Sequence, residues 1–268
     1  MPELPEIETI RRSLLQNIGA AIKGIEIRRP DIIRAQEYPA DQLIGQQIRE
    51  LRRRGKYLIL DLDPGYALVV HLGMSGRFYM LGEDVVPSAP HIHMVFHLDN
   101  QHQLIYMDAR RFGGIWFLSD TECIFRRMGV EPLSSGFTNR CLQEICQDRK
   151  VAIKTLLLNQ NQIAGIGNIY ADEALFAAHI RPERPAGSLR VAEIKRLRQA
   201  IVTILQASID HRGTTFRDFR DGYNKAGEFQ QWLQVYGKTD CPCNICGSKL
   251  KKKVIGGRSS HYCEHCQK

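Results

Sequence analysis

Pro2 follows the initiator Met1, and two carboxylates stand close behind it in Met1-Pro2-Glu3-Leu4-Pro5-Glu6. The small Pro2 side chain favours removal of Met1, which would leave a secondary amine at the start of the chain. Such an amine can attack a carbon electrophile and form an iminium without a base acting first. At pH 7 a lysine amine is almost wholly protonated, whereas an α-amino group leaves roughly a tenth free. Glu3 adjoins the amine and can move protons. The same residues also suit a plain helix start, with Pro5 at a first helical position and Glu6 and Glu8 complementing the helix dipole. This segment alone does not choose between the two.

The far end of the chain adds a second chemical signal. Cys243-Asn244-Ile245-Cys246 is followed, sixteen residues on, by Cys263-Glu264-His265-Cys266. Two C-x2-C knuckles at this separation match a four-thiolate site for one structural Zn2+, with Cys243, Cys246, Cys263 and Cys266 as ligands. Two disulfides are the alternative, but no apolar signal segment or membrane-length stretch points to secretion or a membrane. Cys123, Cys141, Cys146 and Cys241 are scattered, as in a reducing cytoplasm. Cys241 lies two residues before the first ligand and is expected to stay outside the set. Lys249, Lys251, Lys252, Lys253 and Arg258 crowd the intervening hairpin. A metal-held basic hairpin suits a polyanion, and the net charge of +8 and pI of about 9.1 agree.

A chain of 268 residues suits two domains and an appendage. Residues 5–17 read as a helix with Ile7, Ile10, Leu14 and Leu15 on one face. Short β-rich runs follow at Ile22–Arg28, Tyr57–Leu62, Ala67–Leu72, Phe78–Leu81, Ile92–Leu98, Leu104–Met107 and Ile115–Leu118. Turn signals such as Asp63-Pro64-Gly65 separate them, which predicts a β-sandwich. Beyond about residue 120 the pattern turns helical. Helices are expected over Thr138–Cys146, Val151–Leu158 and Ile169–Ala178, the last capped by Asn168. A longer helix capped by Ser188 presents Val191, Ile194, Leu197, Ile201, Ile204 and Leu205. Residues 214–237 have no period and read as a long functional loop. Gly165-Ile166-Gly167-Asn168 is only half a dinucleotide fingerprint, since Tyr170 takes the third glycine position and no strand precedes it. A Gly-rich turn opening a helix can instead offer N–H groups to a DNA phosphate.

Taken together, these motifs resemble the formamidopyrimidine-DNA glycosylase family. The resemblance spans the chain: P-E-L-P-E at the start, Arg53-Arg54-Gly55-Lys56-Tyr57-Leu58, His71-Leu72-Gly73-Met74-Ser75-Gly76, Asp108-Ala109-Arg110-Arg111-Phe112-Gly113, Gly165-Ile166-Gly167-Asn168-Ile169-Tyr170, Val235-Tyr236-Gly237 and the finger with Arg258. It implies an α+β fold in three parts: an N-terminal helix and β-sandwich (1–120), a helix–two-turn–helix domain with a lesion-capping loop (121–237), and a zinc-finger β-hairpin (238–268).

The family resemblance also implies roles. Pro2 would attack the sugar C1′, Glu3 would move protons there, and Glu6 would support them. Lys56 and Arg258 would contact the lesion's phosphate and assist β- and δ-elimination. A base buried in a duplex must be extruded before it is reached. Met74, Arg110 and Phe112 match the residues that fill the vacancy and hold the orphaned base. His71, His91, Arg149, Lys154, Asn168 and Tyr236 fall on or near DNA-contact positions, although Pro90 replaces a frequent lysine beside His91. Residues Thr215–Lys225 would cover the flipped purine. The expected partner is double-stranded DNA containing oxidised purines or abasic sites, met by a cytoplasmic monomer with no membrane association. The competing readings are an oxidised-pyrimidine glycosylase of the sister group, which usually begins P-E-G-P-E rather than with Leu4, and a non-catalytic zinc protein that binds damaged DNA.

Overall fold

Leu58, Leu60 and Leu62 recur with the period of a strand, and all three are buried in one core. The same alternation at Leu68 and Val70, and at Met94, Phe96 and Leu98, brings the inner faces of two sheets together over that core. The computed structural model describes residues 2–63 and 65–268; Met1, and Pro64 of the expected turn, lie outside the described residues. One sheet has the order β1 (Ile22–Ile27), β7 (Ile92–Leu98), β8 (His102–Asp108), β6 (Gly76–Gly82). The other has the order β2 (Ile33–Gln36), β9 (Gly114–Leu118), β5 (Tyr66–His71), β4 (Tyr57–Leu62), β3 (Ile48–Arg54). All pairings are antiparallel except β2 with β9.

Strands β2 and β3 were not expected from sequence. Both are edge strands. β3 reads Ile-Arg-Glu-Leu-Arg-Arg-Arg, and only Ile48 and Leu51 are buried. Its charged outer positions hide the apolar alternation and also protect the edge from pairing with another chain.

Helix α1 (Leu4–Leu14) lays Ile7, Ile10 and Leu14 into the sandwich core, and a 3₁₀ turn continues it over Leu15–Asn17. Residues 211–230 return to this first unit, whose remainder is the stretch up to Arg126 with the short helix α2 (Glu122–Phe125). Phe219 joins the core, and Met80 donates its backbone N–H to the Gly222 carbonyl at 2.8 Å. Of the stretch 214–237 read as a loop, Phe229–Trp232 forms a 3₁₀ turn, and Thr215–Lys225, without helix or strand, is tied internally. Arg212 pairs with Asp221, whose Oδ1 accepts the N–H groups of Tyr223 and Lys225.

The second unit comprises 127–210 and 231–268. It holds α3 (Asn139–Cys146), α4 (Ile153–Leu157), α5 (Asn168–Ala177), α6 (Val191–Asp210) and the hairpin β10 (Lys251–Ile255) with β11 (Arg258–Tyr262). Thr138 caps α3 as a Ser/Thr N-cap should, its Oγ1 accepting from Cys141 N at 3.1 Å. Two expected caps differ. Asn168 is the first residue of α5 rather than its cap, and Gly167 precedes it, because the amide of Asn168 is used on Ser259. Ser188 lies in a 3₁₀ turn and donates to Pro185; at the start of α6, Glu193 takes the N–H of Arg190 instead. Among the described residues, no helix is long and apolar enough to cross a membrane.

Gly222 sits where a side chain would meet Ser13 and Leu14 of α1. Gly222→Ala should therefore overpack this seam at a cost of roughly 1–3 kcal/mol. Limited proteolysis should cut within 211–230 faster than in the parent while the sandwich stays intact; an unchanged cutting rate would show that the loop does not depend on this seam.

Candidate active site

The start of α1 is built from carboxylates held out of water. Pro2, Glu3 and Glu6 are buried, Glu3 being 2 % and Glu6 1 % exposed. Glu3 occupies the N-cap position, and its backbone N–H donates to Oε2 of Glu6 at 2.8 Å, half of a capping box. The other oxygen, Oε1, accepts the backbone N–H of Thr214 at 2.8 Å. The adjacent Gly213 has φ +78°, and a Cβ there would press on the Glu6 side chain. Glycine meets both needs at this position without strain. Glu6 thus joins the Pro2-Glu3 end to the 211–230 segment.

Lys56 lies in the turn between β3 and β4 and is 6 % exposed, so it is not the exposed strand end that its position allows. Its ammonium acts on His71. Burial, aided by the Lys56 charge, holds the His71 imidazole down to about 4, against the opposing pull of Asp108. The His71 ring also packs on Tyr57 at 4.6 Å between centroids.

Met74, Arg110 and Phe112 come from two loops and are not core residues. Phe112 is 60 % exposed and Met74 36 %. The Arg110 guanidinium stands 5.6 Å from the Phe112 ring centre, within cation–π range, and 3.9 Å from Asp218. Asp108, fully buried, organises both loops. Its Oδ1 accepts from Ser75 Oγ at 2.5 Å and from Arg110 N at 3.3 Å, and its Oδ2 accepts from Gly113 N at 2.9 Å. The loops touch backbone to backbone: Gly73 has φ +57°, and a Cβ on it would strike Phe112 and Gly113. His91 is exposed at φ 67° and lines a basic pocket with Arg28, Arg29 and Arg111.

In the second unit, Arg258 opens β11 after Gly256 (φ 54°) and Gly257 (φ 73°). Two consecutive positive φ values are what a tight two-residue hairpin demands. Arg258 and Arg149 are exposed. Tyr236 packs edge-on to His261 at 5.1 Å, and its N–H is one of three that Glu173 accepts, with Gln234 and Val235. Burial still pushes the Glu173 carboxyl above its ordinary range.

Lys154 sits inside the second unit, its side chain 0 % exposed. It pairs with Asp172 at 2.7 Å and donates to the Ser259 carbonyl at 2.7 Å. A buried cation is tolerable only with such partners, and they face inward.

The sulfur atoms of Cys243, Cys246, Cys263 and Cys266 lie within 4.8 Å of one another, with two separations of 3.9 and 3.5 Å. Zinc–sulfur bonds of about 2.3 Å in a tetrahedron require about 3.8 Å. Four thiolates of this spacing fit one Zn2+ and leave no open position for a reacting water. Cys241 is exposed and outside the cluster.

Comparison with known proteins agrees with this construction. Family models match three stretches: the formamidopyrimidine-DNA glycosylase N-terminal domain over residues 1–115, its H2TH domain over 128–220, and the zinc finger found in FPG and IleRS over 242–268. A formamidopyrimidine-DNA glycosylase of Syntrophomonas wolfei is 57 % identical, with 100 % of both chains covered.

The chain belongs to the formamidopyrimidine-DNA glycosylase family.

Solved relatives share the whole fold. The MutM (Fpg) protein of Thermus thermophilus is 36 % identical with a TM-score of 0.89, covering 99 % of this chain and 98 % of that one. A point mutant of the Lactococcus lactis Fpg, in complex with Fapy-dG containing DNA, is 35 % identical with a TM-score of 0.91, covering 99 % of each chain.

Within this glycosylase-family fold, the structure brings together Pro2, Glu3 and Glu6 at one helix end, Lys56 and His71 in the sandwich, and Met74, Arg110 and Phe112 on paired loops. Sequence reasoning gave no role to Asp108, Asp172 or Glu173. Asp172 and Glu173 did leave a signal: two adjacent acids amid Ile169, Tyr170, Ala171, Ala174, Leu175 and Phe176 in a helix buried on all sides. Asp108 was visible only as part of the motif Asp108–Gly113, and its role was not, because its partners are backbone N–H groups and one distant hydroxyl.

The His71 shift sets a pH expectation. An imidazole at about 4 when folded and near 6.5 when unfolded takes up its proton more readily in the unfolded chain. Its contribution to stability is present above about 6.5 and is lost as pH falls toward 4. Urea midpoints should fall over that window less steeply in His71→Gln than in the parent; identical slopes would count against the shift. For the finger, Cys246→Ser should abolish zinc in metal analysis and accelerate amide exchange along β10 and β11. Retained stoichiometric zinc would remove Cys246 from the ligand set.

Proposed function

We propose that this protein excises oxidised purines, 8-oxoguanine and formamidopyrimidines, from double-stranded DNA through a Schiff base on Pro2, and cuts the strand by β- and δ-elimination. Family membership gives the class of reaction: a formamidopyrimidine-DNA glycosylase with abasic-site lyase activity in base-excision repair. The Fapy-dG containing DNA held by the Lactococcus lactis relative supports lesion-bearing DNA as the partner. We further propose that it works as a cytoplasmic monomer at the nucleoid, and that 1–120, 121–237 and 238–268 divide the labour into catalysis, grip on DNA, and finger.

The observation that carries this reading is the exposure of Phe112, 60 %, beneath the Arg110 guanidinium. A large aromatic ring held in solvent beside a cation, on a loop pinned by a buried Asp108, has no use in the core. It suits insertion into a base stack from which one nucleotide has been extruded, with Met74 filling the gap.

Removal of Met1 exposes the Pro2 amine. Attack on C1′ breaks the glycosidic bond and expels the base, and opening of the C1′–O4′ bond with a proton to O4′ leaves an iminium; loss of the acidified C2′ proton then expels the 3′ phosphate in β-elimination. Glu3, at the helix cap beside Pro2, moves protons at the sugar. Glu6 holds Glu3 through its N–H. Lys56 and Arg258 take the lesion's phosphate, Arg258 assisting δ-elimination. His71, His91, Arg149, Asn168 and Tyr236 are the remaining DNA-facing candidates. The zinc shapes the finger and takes no part in bond breaking.

Borohydride reduction tests the intermediate, because only an iminium is trapped as a stable cross-link. A form extended at the N-terminus should not cross-link to 8-oxoguanine duplex, and full trapping by such a form would remove Pro2 as the nucleophile. Glu3→Gln should lose roughly 10²–10⁴ in excision rate. Cleavage of a preformed abasic site should suffer far less, since no base remains to be expelled. Single-turnover kinetics on the two duplexes measure both. Near-parental excision by Glu3→Gln would reassign the acid.

A further inference from the structure

Asp172 has no part in the chemistry above, yet its side chain is 0 % exposed. One oxygen pairs with Nζ of Lys154 at 2.7 Å. The other accepts both the backbone N–H of His261 at 2.9 Å and the ring N–H of its Nδ1 at 3.0 Å. Lys154 passes the connection on, its Nζ donating to the Ser259 carbonyl at 2.7 Å. Asn168 Nδ2 donates to the same carbonyl at 3.0 Å. Helices α4 and α5 therefore hold residues 259 and 261, the stretch that directly follows Arg258. The neighbouring turn is held as closely: a Cβ on Gly256 would meet the Thr155 hydroxyl of α4.

The zinc cannot place this turn by itself. Arg258 pairs with Ile255 at one end of the hairpin, and the ligand Cys263 follows Tyr262 at the other. Five steps of roughly 3.4 Å each lead from Arg258 to Cys263, about 17 Å along the strand. An isolated two-stranded hairpin is marginal in water and twists freely over that length. The far end needs a second anchor, and the buried carboxylate supplies it.

We propose that Asp172 is the positioning residue for Arg258: through His261 and Lys154 it fixes the finger turn so that the guanidinium meets the lesion's phosphate during δ-elimination. This rests on the reading of Arg258 given above. A displacement of the order of 1 Å at a reacting group costs up to roughly 10²-fold in rate.

The test is Asp172→Asn, which keeps size and removes the charge, assayed on a preformed abasic duplex with zinc content confirmed. The rate of β,δ-product formation should fall about 10- to 100-fold, while borohydride trapping stays near the parental level. A purely structural role would lower both together, and that result overturns the proposal. Arg258→Ala, run alongside, separates the two readings. If it loses δ-elimination and Asp172→Asn does not, the clamp fails; if Arg258→Ala also keeps the parental rate, the reading of Arg258 fails and the clamp's function with it. Should Asp172→Asn lose zinc, hydrogen exchange in the parent decides. The His261 amide should exchange as slowly as buried amides of α5, and exchange at the rate of an unprotected amide overturns the proposal.

Discussion

Glu6 is 1 % exposed, and its two oxygens accept the backbone N–H groups of Glu3 and Thr214. Those donors stand more than 200 positions apart in sequence. A carboxyl group taken from water is costly unless each of its oxygens finds a donor. The carboxylate therefore tolerates one arrangement: helix start on one side, the 211–230 segment on the other. Every other feature of the N-terminal end follows from that. Gly213 must be glycine beside it, the cap at Glu3 is closed, and Pro2 is buried at a defined place.

The same device recurs wherever a functional segment leaves regular structure. Asp108 takes the N–H groups of Arg110 and Gly113 and the hydroxyl of Ser75, and so sets two loops at once. Asp221 takes those of Tyr223 and Lys225. Side chains on such loops can be turned outward. Phe112 is exposed because its backbone needs no help from its ring. A loop held by apolar packing would have drawn that ring inward.

Helix α5 shows the arrangement at its densest. It is buried on all sides, and its adjacent acids serve different segments: Asp172 faces β11 and Lys154, while Glu173 takes three N–H groups from 234–236. The metal site completes the finger from its other end. Thiolates fix where the strands start, and carboxylates fix where neighbouring backbone goes. Lys154 shows the consequence for charge. Although cationic in a basic, DNA-directed chain, it is consumed as a buried counter-ion.

Local rules made much of this protein legible. The two knuckles specified the metal ligands, because C-x2-C geometry is set within four residues. Short β-rich runs marked Tyr57–Leu62 and Ile92–Leu98 as strands to the residue, since both faces of these strands are largely buried and apolar. The motifs around Pro2, Met74, Arg110 and Arg258 identified the family. Edge strand β3 escaped because charge on its outer positions masks the period, and β2 because its four residues, none of them buried, carry no period. The cap at Ser188 was misplaced because its hydroxyl serves the local Pro185 carbonyl instead, and the cap at Asn168 because its amide serves the distant Ser259 carbonyl, which only tertiary contact decides. For the same reason, sequence could not tell Phe112 on a loop from Phe112 in a core, or an outward Lys154 from a buried one. Burial and pairing are properties of what surrounds a residue, and here those surroundings come from segments far along the chain.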